Sequence, residues 1–214
     1  MSLALFARKF QRNVQDYGWW ISIRKVFAHF FRSIYGHQIY RLYRIDLDKG
    51  KEPVRIEADG LTFRILNGGD DRAIQQIENA HEWFRGELKE TIKSGALCLT
   101  AFDGDSVAAF NLIGFGEVFM PLVHKKRTFQ QKHAWSEHIA VDKEYRQRGL
   151  GAQLRYKIFE ELRSRGYTRL YGAALTSNIA SLKLARKVGF REIVDLHYIC
   201  VLGRDFWRYK RVKQ

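Results

Sequence analysis

The sequence predicts an α/β fold, of the α/β to α+β kind, in which helices cover a mixed β-sheet. From residue 54 onward, short stretches with alternating or continuous apolar side chains take turns with stretches of helical spacing. Their predicted order is strand, two helices, three strands, helix, strand, helix and strand. This interleaving is typical of domains in which a mixed sheet is packed between helices.

Each element follows from its local pattern of apolar, turn-forming and capping residues. Residues 39–45 alternate as a strand does, and GKEP at 50–53 marks a boundary between an extension, 1–50, and a main domain, 51–214. The predicted elements of the main domain are a strand within 54–66, two helices ending at Gly95, a hairpin turning at Asp103-Gly104-Asp105, a strand ending at Val141, a helix from Leu150 to about Arg165, a strand over 169–175, a helix over 177–188 and a final strand over 190–202. Residues 123–137 begin as a polar loop.

The extension contains one amphipathic stretch. In WWISIRKVFAHFFRSIY, residues 19–35, apolar side chains recur at three- and four-residue steps, which is the period of one helix face. Arg24, Lys25 and Arg32 lie mostly off that face. Such a helix is compatible with packing on its own domain, with an anionic membrane surface or with a partner protein, and the pattern leaves these three open.

Net charge, histidine spacing and the length of apolar runs indicate which partners, ligands and location to expect. The net charge of +14 is concentrated at the ends, because residues 134–214 hold 17 basic and 8 acidic side chains while residues 51–133 are nearly neutral. Such basic surfaces attract nucleic acids, anionic membranes, acidic carrier proteins or phosphate-bearing ligands. The seven histidines lack the spacing of metal ligands, so no metal is expected. Without a signal peptide or a membrane-spanning run, the expected location is cytoplasmic or peripheral to the membrane.

The segment YRQRGLGAQLR, residues 145–155, lies between a predicted strand and a predicted helix. Backbone N–H groups at a helix N-terminus have no partner within the helix, and with the helix dipole they favour an anion. Gly149 and Gly151 allow a tight turn and the close approach of a phosphate, and Arg146 and Arg148 add positive charge. The segment lacks the third glycine of the dinucleotide-binding fingerprint and the Gly-Lys-Ser/Thr of a P-loop, so neither nucleotide-binding motif is complete. Taken alone, the segment fits a helix cap and an anion site equally well.

A second segment, TSNIASLKLARKVGF, reads as a helix capped by Asn178 and stopped by Gly189. Together the two segments resemble the acyl-CoA-binding part of the N-acetyltransferase (GNAT) superfamily. IAVDKEYRQRGLGAQL contains its R-x-x-G-x-G core, and NIASLKLARKVGF is similar to its following helix, N-x-x-S/A…K-x-G-F. The resemblance is strong over residues 134–200, extends by strand order back to residue 54, and is absent from residues 1–50.

The resemblance implies a fold and a set of contacts to an acyl-CoA. Two neighbouring parallel strands, here ending at Val141 and near Ala174, would splay apart at the centre of the sheet to admit acetyl-CoA. The implied cofactor-binding residues are Ile139, Ala140 and Val141 for the pantetheine arm and acyl carbonyl, Arg146, Gln147, Arg148, Gly149, Leu150, Gly151 and Ala152 for the pyrophosphate, and Asn178 and Ser181 for the other side of the channel.

The acceptor side is less well defined by the sequence. Alternation along the strand places Glu137 with Ile139 and Val141, and His138 on the opposite side. The resemblance makes Glu137 the best candidate to accept a proton from the amine, with His138 the weaker candidate. Many family members have a tyrosine four residues before the glycine of the Gly-Phe pair, as the acid for the departing thiolate, whereas this chain has Ala185. Water, Tyr198 or His197 would have to replace it.

Three functional hypotheses result. The first is an acyl-CoA-dependent N-acyltransferase that transfers acetyl to the primary amine of a small molecule. The second is an enzyme that uses a longer acyl-CoA or an acyl carrier protein. The third is a non-catalytic acyl-CoA-binding or membrane-associated module, which the alanine at 185 permits. Nucleic acid is not an expected partner because no recognition motif accompanies the charge. A homodimer is left open, and so is contact of residues 1–36 with a membrane or a partner.

Overall fold

The structure is a computed structural model that describes residues 35–49, 60–81, 84, 86–120 and 125–212. The predicted N-terminal helix and the predicted boundary at 50–53 lie outside these residues. The chain forms two compact units, a larger one of residues 41–194 with 211–214 and a smaller one of residues 1–40 with 195–210.

The described elements begin and end as follows. The strands are β1 (Tyr35–Asp46), β2 (Thr62–Leu66), β3 (Leu97–Asp103), β4 (Ser106–Phe115), β5 (Glu117–Met120), β6 (Lys125–Thr128), β7 (His133–Val141), β8 (Arg169–Leu175), β9 (Arg191–Val201) and β10 (Arg204–Arg211). The helices are α1 (Asp71–Ala80), α2 (Leu88–Lys93), α3 (Leu150–Ser164) and α4 (Ile179–Lys187), with short 3₁₀ turns at Leu47–Lys49 and Lys143–Tyr145.

The larger unit is built on a mixed sheet with the strand order β1-β8-β7-β4-β3-β2. The pairs β2–β3, β3–β4 and β4–β7 are antiparallel, and β7–β8 is parallel. Strands β5 and β6 form a separate antiparallel pair. The mixed sheet flanked by helices that the sequence predicts is therefore confirmed.

The sheet opens at its centre, between β7 and β8. Their pairing runs from His133 opposite Arg169 to Ser136 opposite Gly172 and then stops. Strand β7 nevertheless continues to Val141 and β8 to Leu175. The two strands separate beyond Ser136 and Gly172, which confirms the splayed sheet.

Helices cover both faces of this sheet. One hydrophobic cluster joins the sheet to α3 and α4 and includes Leu154 and Leu182. A second cluster joins it to α1 and α2 and includes Ile74 and Leu88. Alternation along β4 sends Ile113 to the first cluster and Leu112 to the second, as the two-residue period of a strand requires. We call the two sides the α3 face and the α1 face.

The structure differs from the predicted elements in two places. The polar stretch before β7 contains strand β6, which pairs with β5, and its strand character is not visible in the sequence because all four of its residues are exposed. The final predicted strand is followed by another, β10, since the chain reverses at Leu202 and Gly203, both with positive φ. Leucine is an uncommon residue in that conformation, so Gly203 is the one residue of this pair that signals a turn.

The smaller unit consists, where it is described, of the first residues of β1, the second part of β9 and β10. In it β10 pairs with β9, and β9 pairs with β1. His37 Nε2 lies 3.1 Å from His197 Nδ1, and the two rings are stacked. Within the described part of the chain, every helix is too short or too polar to cross a membrane.

Candidate active site

The turn that follows β7 ends in an uncapped helix N-terminus. Gln147 and Gly149 both adopt left-handed backbone conformations, with φ of 65° and 80°. Gly149 is the N-cap residue of α3 and supplies no side-chain bond to the helix. The N–H groups of Leu150 and Gly151 at the start of the helix therefore have no intrahelical acceptor. This arrangement, with the positive end of a 15-residue helix behind it, is suited to binding an anion.

Two arginines lie in this turn. The Nε atom of Arg146 donates a hydrogen bond to the carbonyl oxygen of Val141, 3.0 Å away, which ties the turn to the end of β7. The guanidinium of Arg148 lies 6.0 Å from the ring centre of Tyr145. Tyr145 is itself fixed by a 2.7 Å bond from its hydroxyl to Asp103. The positive charges are thus held next to the helix N-terminus.

The open part of β7 directs main-chain groups into the gap between β7 and β8. The carbonyl oxygen of His138 accepts a bond from the side chain of Asn111, and the N–H of Asp142 donates to Ala108, and both partners belong to β4. Main-chain groups of successive residues in a strand point to opposite edges. The groups of Ile139 and Val141 therefore point towards β8, whereas those of Ala140 point towards β4.

The start of α4 forms the other wall of the gap. The Oδ1 atom of Asn178 accepts a bond from the N–H of Ser181, 3.1 Å away, so the predicted cap is confirmed. A Cβ atom on Gly151 would lie 3.2 Å from Leu184 of α4 and 3.6 Å from Val141 of β7. The start of α3, the end of β7 and α4 therefore meet closely. The carbonyl oxygen of Val141 is bonded to Arg146, while the main-chain groups of Ile139 and the N–H of Val141 face the gap. An uncapped helix N-terminus beside such a strand fits the phosphates and the amide-bearing arm of an acyl-CoA.

Glu137 occupies a β-bulge. In the β4–β7 ladder Ile113 is opposite Ser136 and Leu112 is opposite His138, so Glu137 is the extra residue. The carboxylate of Glu137 lies over Gly114, where a Cβ atom would overlap its Oε1 and would come within 2.9 Å of Val118. Gly114 lies on the same side of β4 as Leu112, which is on the α1 face. Since Ser136 lies opposite Ile113 on the α3 face, alternation places Glu137 on the α1 face, and the bulge keeps His138 on that face as well.

This placement corrects the predicted alternation. The sequence groups Glu137 with Ile139 and Val141, but Ile139 and Val141 pack on the α3 face while Glu137 lies on the α1 face. His138, predicted to lie opposite Glu137, shares its face because its ring contacts Phe84, a member of the α1-face cluster. One extra residue in a strand moves every following side chain to the face opposite the one that regular alternation predicts.

Burial has opposite consequences for the two titratable groups. Burial raises the pKa of Glu137 to about 7, and among the described residues its carboxylate has no hydrogen-bond donor or cation as partner. Burial, with a smaller contribution from the nearby His81, lowers the pKa of His138 to about 4. At neutral pH His138 is therefore uncharged, and Glu137 can exchange a proton.

The candidate acids for the leaving thiolate lie in different surroundings. Ala185, at the position where the family places tyrosine, is 6% exposed and belongs to the α3-face core. In the smaller unit, the hydroxyl of Tyr198 donates to Asp205 at 2.8 Å. Burial and this carboxylate raise the pKa of Tyr198 above its ordinary value. The role predicted for Tyr198 stays a prediction.

A pocket of about 210 Å³ lies on the α1 face beside the end of β7. The residues that line it include Gln76, His81, Ser106, Phe110, Ala140 and Asp142. Burial lowers the pKa of His81. Glu137 and this pocket therefore share one face of the sheet. The described residues contain no group of three or more side chains placed to hold a metal ion.

Three residues beside Glu137 received no role from the sequence. Gly114 makes the space that its carboxylate fills, and Asn111 and Arg155 contact the residues around the bulge. Asn111 interrupts the apolar run AAFNLIGF, which is a signal because a buried amide is costly unless it is bonded. Arg155 falls among the apolar positions of α3, close to Leu154 and Ile158, and gives a similar signal.

The mixed, splayed sheet has the fold of the acyl-CoA N-acyltransferases. The chain matches the Acetyltransferase (GNAT) family over residues 69–190, more than half of its length, and belongs to that family.

The individual proteins that resemble this chain match it over a short stretch or at low sequence identity. A 55-residue stretch, 26% of this chain, is 38% identical to the ribosomal protein bS18 alanine N-acetyltransferase of Salmonella typhimurium and covers 37% of that protein. Among solved structures, the glucosamine N-acetyltransferase region of a fungal multi-domain β-N-acetylglucosaminidase superposes with a TM-score of 0.59 at 16% identity, over 81% of this chain and 22% of that one. A GCN5-related N-acetyltransferase from Sphaerobacter thermophilus gives 0.56 at 15% identity, over 91% and 58%. At these identities the similarity to the solved structures is one of fold.

Proposed function

We propose that this protein transfers an acyl group, acetyl in the simplest case, from acyl-CoA to the primary amine of a small molecule. The observation that carries the proposal is the meeting of three features at strand β7, where the sheet opens. These are the uncapped N-terminus of α3, the free edge of β7 and the bulged Glu137. The first two suit a phosphate-bearing acyl donor, and the third suits proton transfer.

The donor is bound by main-chain groups more than by side chains. The segment from Arg146 to Ala152 receives the pyrophosphate through N–H groups at the start of α3, and Arg146 and Arg148 neutralise its charge. The pantetheine arm lies in the gap, along the main-chain groups of Ile139 and Val141 on one side and beside Asn178 and Ser181 on the other. Ala140 lies beside the gap but forms no main-chain hydrogen bond to the pantetheine arm, since its main-chain groups point to β4.

Glu137 receives the proton that the amine loses. As the nitrogen–carbon bond to the acyl carbonyl forms, the nitrogen becomes cationic and must release a proton before the carbon–sulfur bond breaks. A carboxylate with a pKa raised to about 7 by burial is a suitable base, because it is partly ionised at neutral pH and is a stronger base than an exposed carboxylate. The position of Glu137 favours an acceptor that approaches from the α1 face.

The departing thiolate takes its proton from water in this proposal. The alanine at 185 cannot donate one, and Tyr198 already donates its hydroxyl proton to Asp205. Because this bond and burial raise the pKa of Tyr198, it is a weaker acid than an ordinary tyrosine.

The experiment is a screen for free thiol released from acetyl-, butyryl- and decanoyl-CoA in the presence of an amine panel. The panel contains small primary amines and, because the Salmonella relative acts on an alanine of a ribosomal protein, a peptide with N-terminal alanine. We expect amine-dependent thiol release, lowered about 100-fold in Glu137→Gln, as is typical for the loss of a general base.

The alternatives give different results. Turnover with decanoyl-CoA alone would support the hypothesis of a longer acyl donor. Binding of CoA without turnover by any amine would support a non-catalytic module. Equal rates in the wild type and in Glu137→Gln would remove Glu137 from the mechanism.

A further inference from the structure

A buried amide spans the bulge that contains Glu137. Asn111 lies in β4, within the apolar run AAFNLIGF, and is 0% exposed. Its Nδ2 atom lies 3.2 Å from Ser136 Oγ, 3.1 Å from the carbonyl oxygen of His138 and 3.3 Å from that of Leu112. Ser136 and His138 are the two residues that flank Glu137. The carboxamide of Asn111 therefore contacts β7 on both sides of the extra residue.

A buried guanidinium holds the same serine from the other side. The Nη1 atom of Arg155, in α3, donates to Ser136 Oγ at 2.7 Å. Arg155 is 3% exposed, its guanidinium lies 5.5 Å from the ring centre of Phe190, and burial lowers its pKa. Among the described residues it has no carboxylate partner. Ser136 Oγ thus receives bonds from two elements at the point where the pairing of β7 with β8 ends.

This arrangement is costly for the folded state. Asn111 Oδ1 and Arg155 Nε are buried and have no hydrogen-bond partner among the described residues. Buried polar groups that are only partly bonded, and buried charges without a counter-ion, destabilise a core in comparison with apolar side chains of similar size. The amide of Asn111 and the guanidinium of Arg155 both lie in this core and contact one serine. We therefore expect them to serve a purpose other than stability.

We propose that Asn111 is a positioning residue which, with Ser136 and Arg155, holds the bulge of β7 and so directs the carboxylate of Glu137 towards the acceptor. The proposal rests on the function proposed above for Glu137. In a regular strand Glu137 and residues 138–141 could not both keep their faces, so either the carboxylate or the strand end that borders the gap would move to the opposite side. Donors that reach both flanks of the bulge favour the bulged register over the regular one.

The test compares Asn111→Leu with Thr100→Val in the full chain. Leucine is close in size to asparagine but has no donor. Thr100 is a matched control, since it is also 0% exposed in the sheet, in the neighbouring strand β3, and its hydroxyl contacts only Cys98 among the described residues. For each variant one measures kcat, KM, the Kd for CoA and the pH dependence of kcat.

In Asn111→Leu we expect kcat to fall at least about tenfold, because a displacement of about 1 Å in a catalytic group is enough for such a loss. The Kd for CoA should change less than about threefold, since the phosphate-binding turn is untouched. The acid limb of the pH profile, with a midpoint near 7 in the wild type, should move towards the ordinary range of a carboxyl as Glu137 leaves its buried position. Thr100→Val should leave kcat and the acid limb unchanged.

If Asn111→Leu does not fold, Ser136→Ala takes its place, with Ser136→Thr as the variant that keeps the hydroxyl and should restore the wild-type pH profile. An Asn111→Leu or Ser136→Ala protein that is less stable but has the wild-type kcat and acid limb would overturn the proposal. Glu137→Gln is measured alongside. If its rate equals that of the wild type, the role of Glu137 itself fails, whereas a slow Glu137→Gln with an unaffected Asn111→Leu refutes the positioning role alone.

Discussion

Glu137 is the residue whose environment says most about the chemistry. Burial without a charge partner raises its pKa to about 7, while burial lowers that of the neighbouring His138 to about 4. Two adjacent titratable residues are therefore shifted in opposite directions by the same cause, and each is shifted towards its neutral form. Only Glu137 changes its charge within the physiological range, which is what a proton acceptor requires.

The first prediction concerns the pH dependence of stability. A carboxyl whose pKa is higher in the folded than in the unfolded state contributes stability below its unfolded pKa, near 4.5, and loses it as the pH rises through 7. Glu137→Gln should therefore unfold like the wild type at pH 4.5 and be more stable at pH 8. The difference is up to about 3 kcal/mol, from about 1.4 kcal/mol per unit of pKa. Urea unfolding at both pH values measures it.

A matched control for that experiment is Glu160→Gln, which changes an exposed glutamate of α3. Its free energy of unfolding should differ from that of the wild type by the same small amount at both pH values. If Glu137→Gln behaved in the same way, the carboxylate of Glu137 would not be desolvated as described.

The second prediction concerns Gly114. A methyl group at this position would occupy the space of Glu137 Oε1 and crowd Val118. Gly114→Ala should displace the carboxylate and lower kcat about tenfold or more, with CoA affinity unchanged. Steady-state kinetics with parallel CoA titration measure both quantities. A Gly114→Ala enzyme with the wild-type kcat would show that the carboxylate does not need its observed position.

At the scale of single residues, the surroundings of Glu137 show what could and what could not be predicted from the sequence. The sequence indicates Glu137 itself, but it places the side chain on the wrong face because a β-bulge has no reliable sequence signal. The role of Gly114 could not be predicted either, since the pairing of β4 with β7 determines which side chain lies over it. Asn111 and Arg155 stand out as polar residues in apolar patterns, yet their common partner Ser136 depends on how β4, β7 and α3 meet in space.

At the scale of elements, the gap between β7 and β8 connects fold and function. Parallel strands that separate leave main-chain donors and acceptors unpaired, which is costly unless water or a ligand bonds to them. The third prediction is therefore that the amides of Ile139 and Val141 exchange hydrogen rapidly in the free protein and become protected when CoA is added. Amides in the paired part of β7, such as that of Ala134, should be protected in both states.

Hydrogen exchange read out by NMR gives residue-level values for this comparison. Strong protection of Ile139 and Val141 in the free protein would mean that the strands pair along their whole length. Protection by CoA of Ala134 instead of Ile139 and Val141 would place the ligand elsewhere.

The elements themselves were largely predictable because most of their signals are local. Helix α4 has its Asn178 cap and its glycine stop, and α3 has glycines at its start and a regular apolar face. The elements that the sequence missed lack such signals. Strand β6 is exposed along its whole length, and β10 follows a turn in which leucine adopts a positive φ.

At the scale of the whole molecule, the family match and the splayed sheet concern residues 69–190, and the proposed donor site lies within them. The basic C-terminal third of the chain supplies Arg146 and Arg148, the arginines of the turn proposed to bind phosphate. Three further basic residues of this part of the chain, Arg204, Arg208 and Lys210, are exposed in β10 and belong to the smaller unit.

The central claim is that the turn from Arg146 to Ala152 binds the pyrophosphate of CoA. Isothermal titration of CoA into the wild type, Gly149→Asp and Gly149→Asn tests it most directly. Asparagine tolerates the left-handed conformation of Gly149 and is neutral, so it controls for the backbone. Aspartate adds a negative charge beside the phosphates, a repulsion of about 4 kcal/mol at 4 Å near a protein surface.

We predict that Gly149→Asp binds CoA at least about 100-fold more weakly than the wild type, since about 2.7 kcal/mol corresponds to that factor. Gly149→Asn should lose much less of its affinity for CoA than Gly149→Asp does. A folded Gly149→Asp protein that binds CoA as tightly as the wild type would contradict the account.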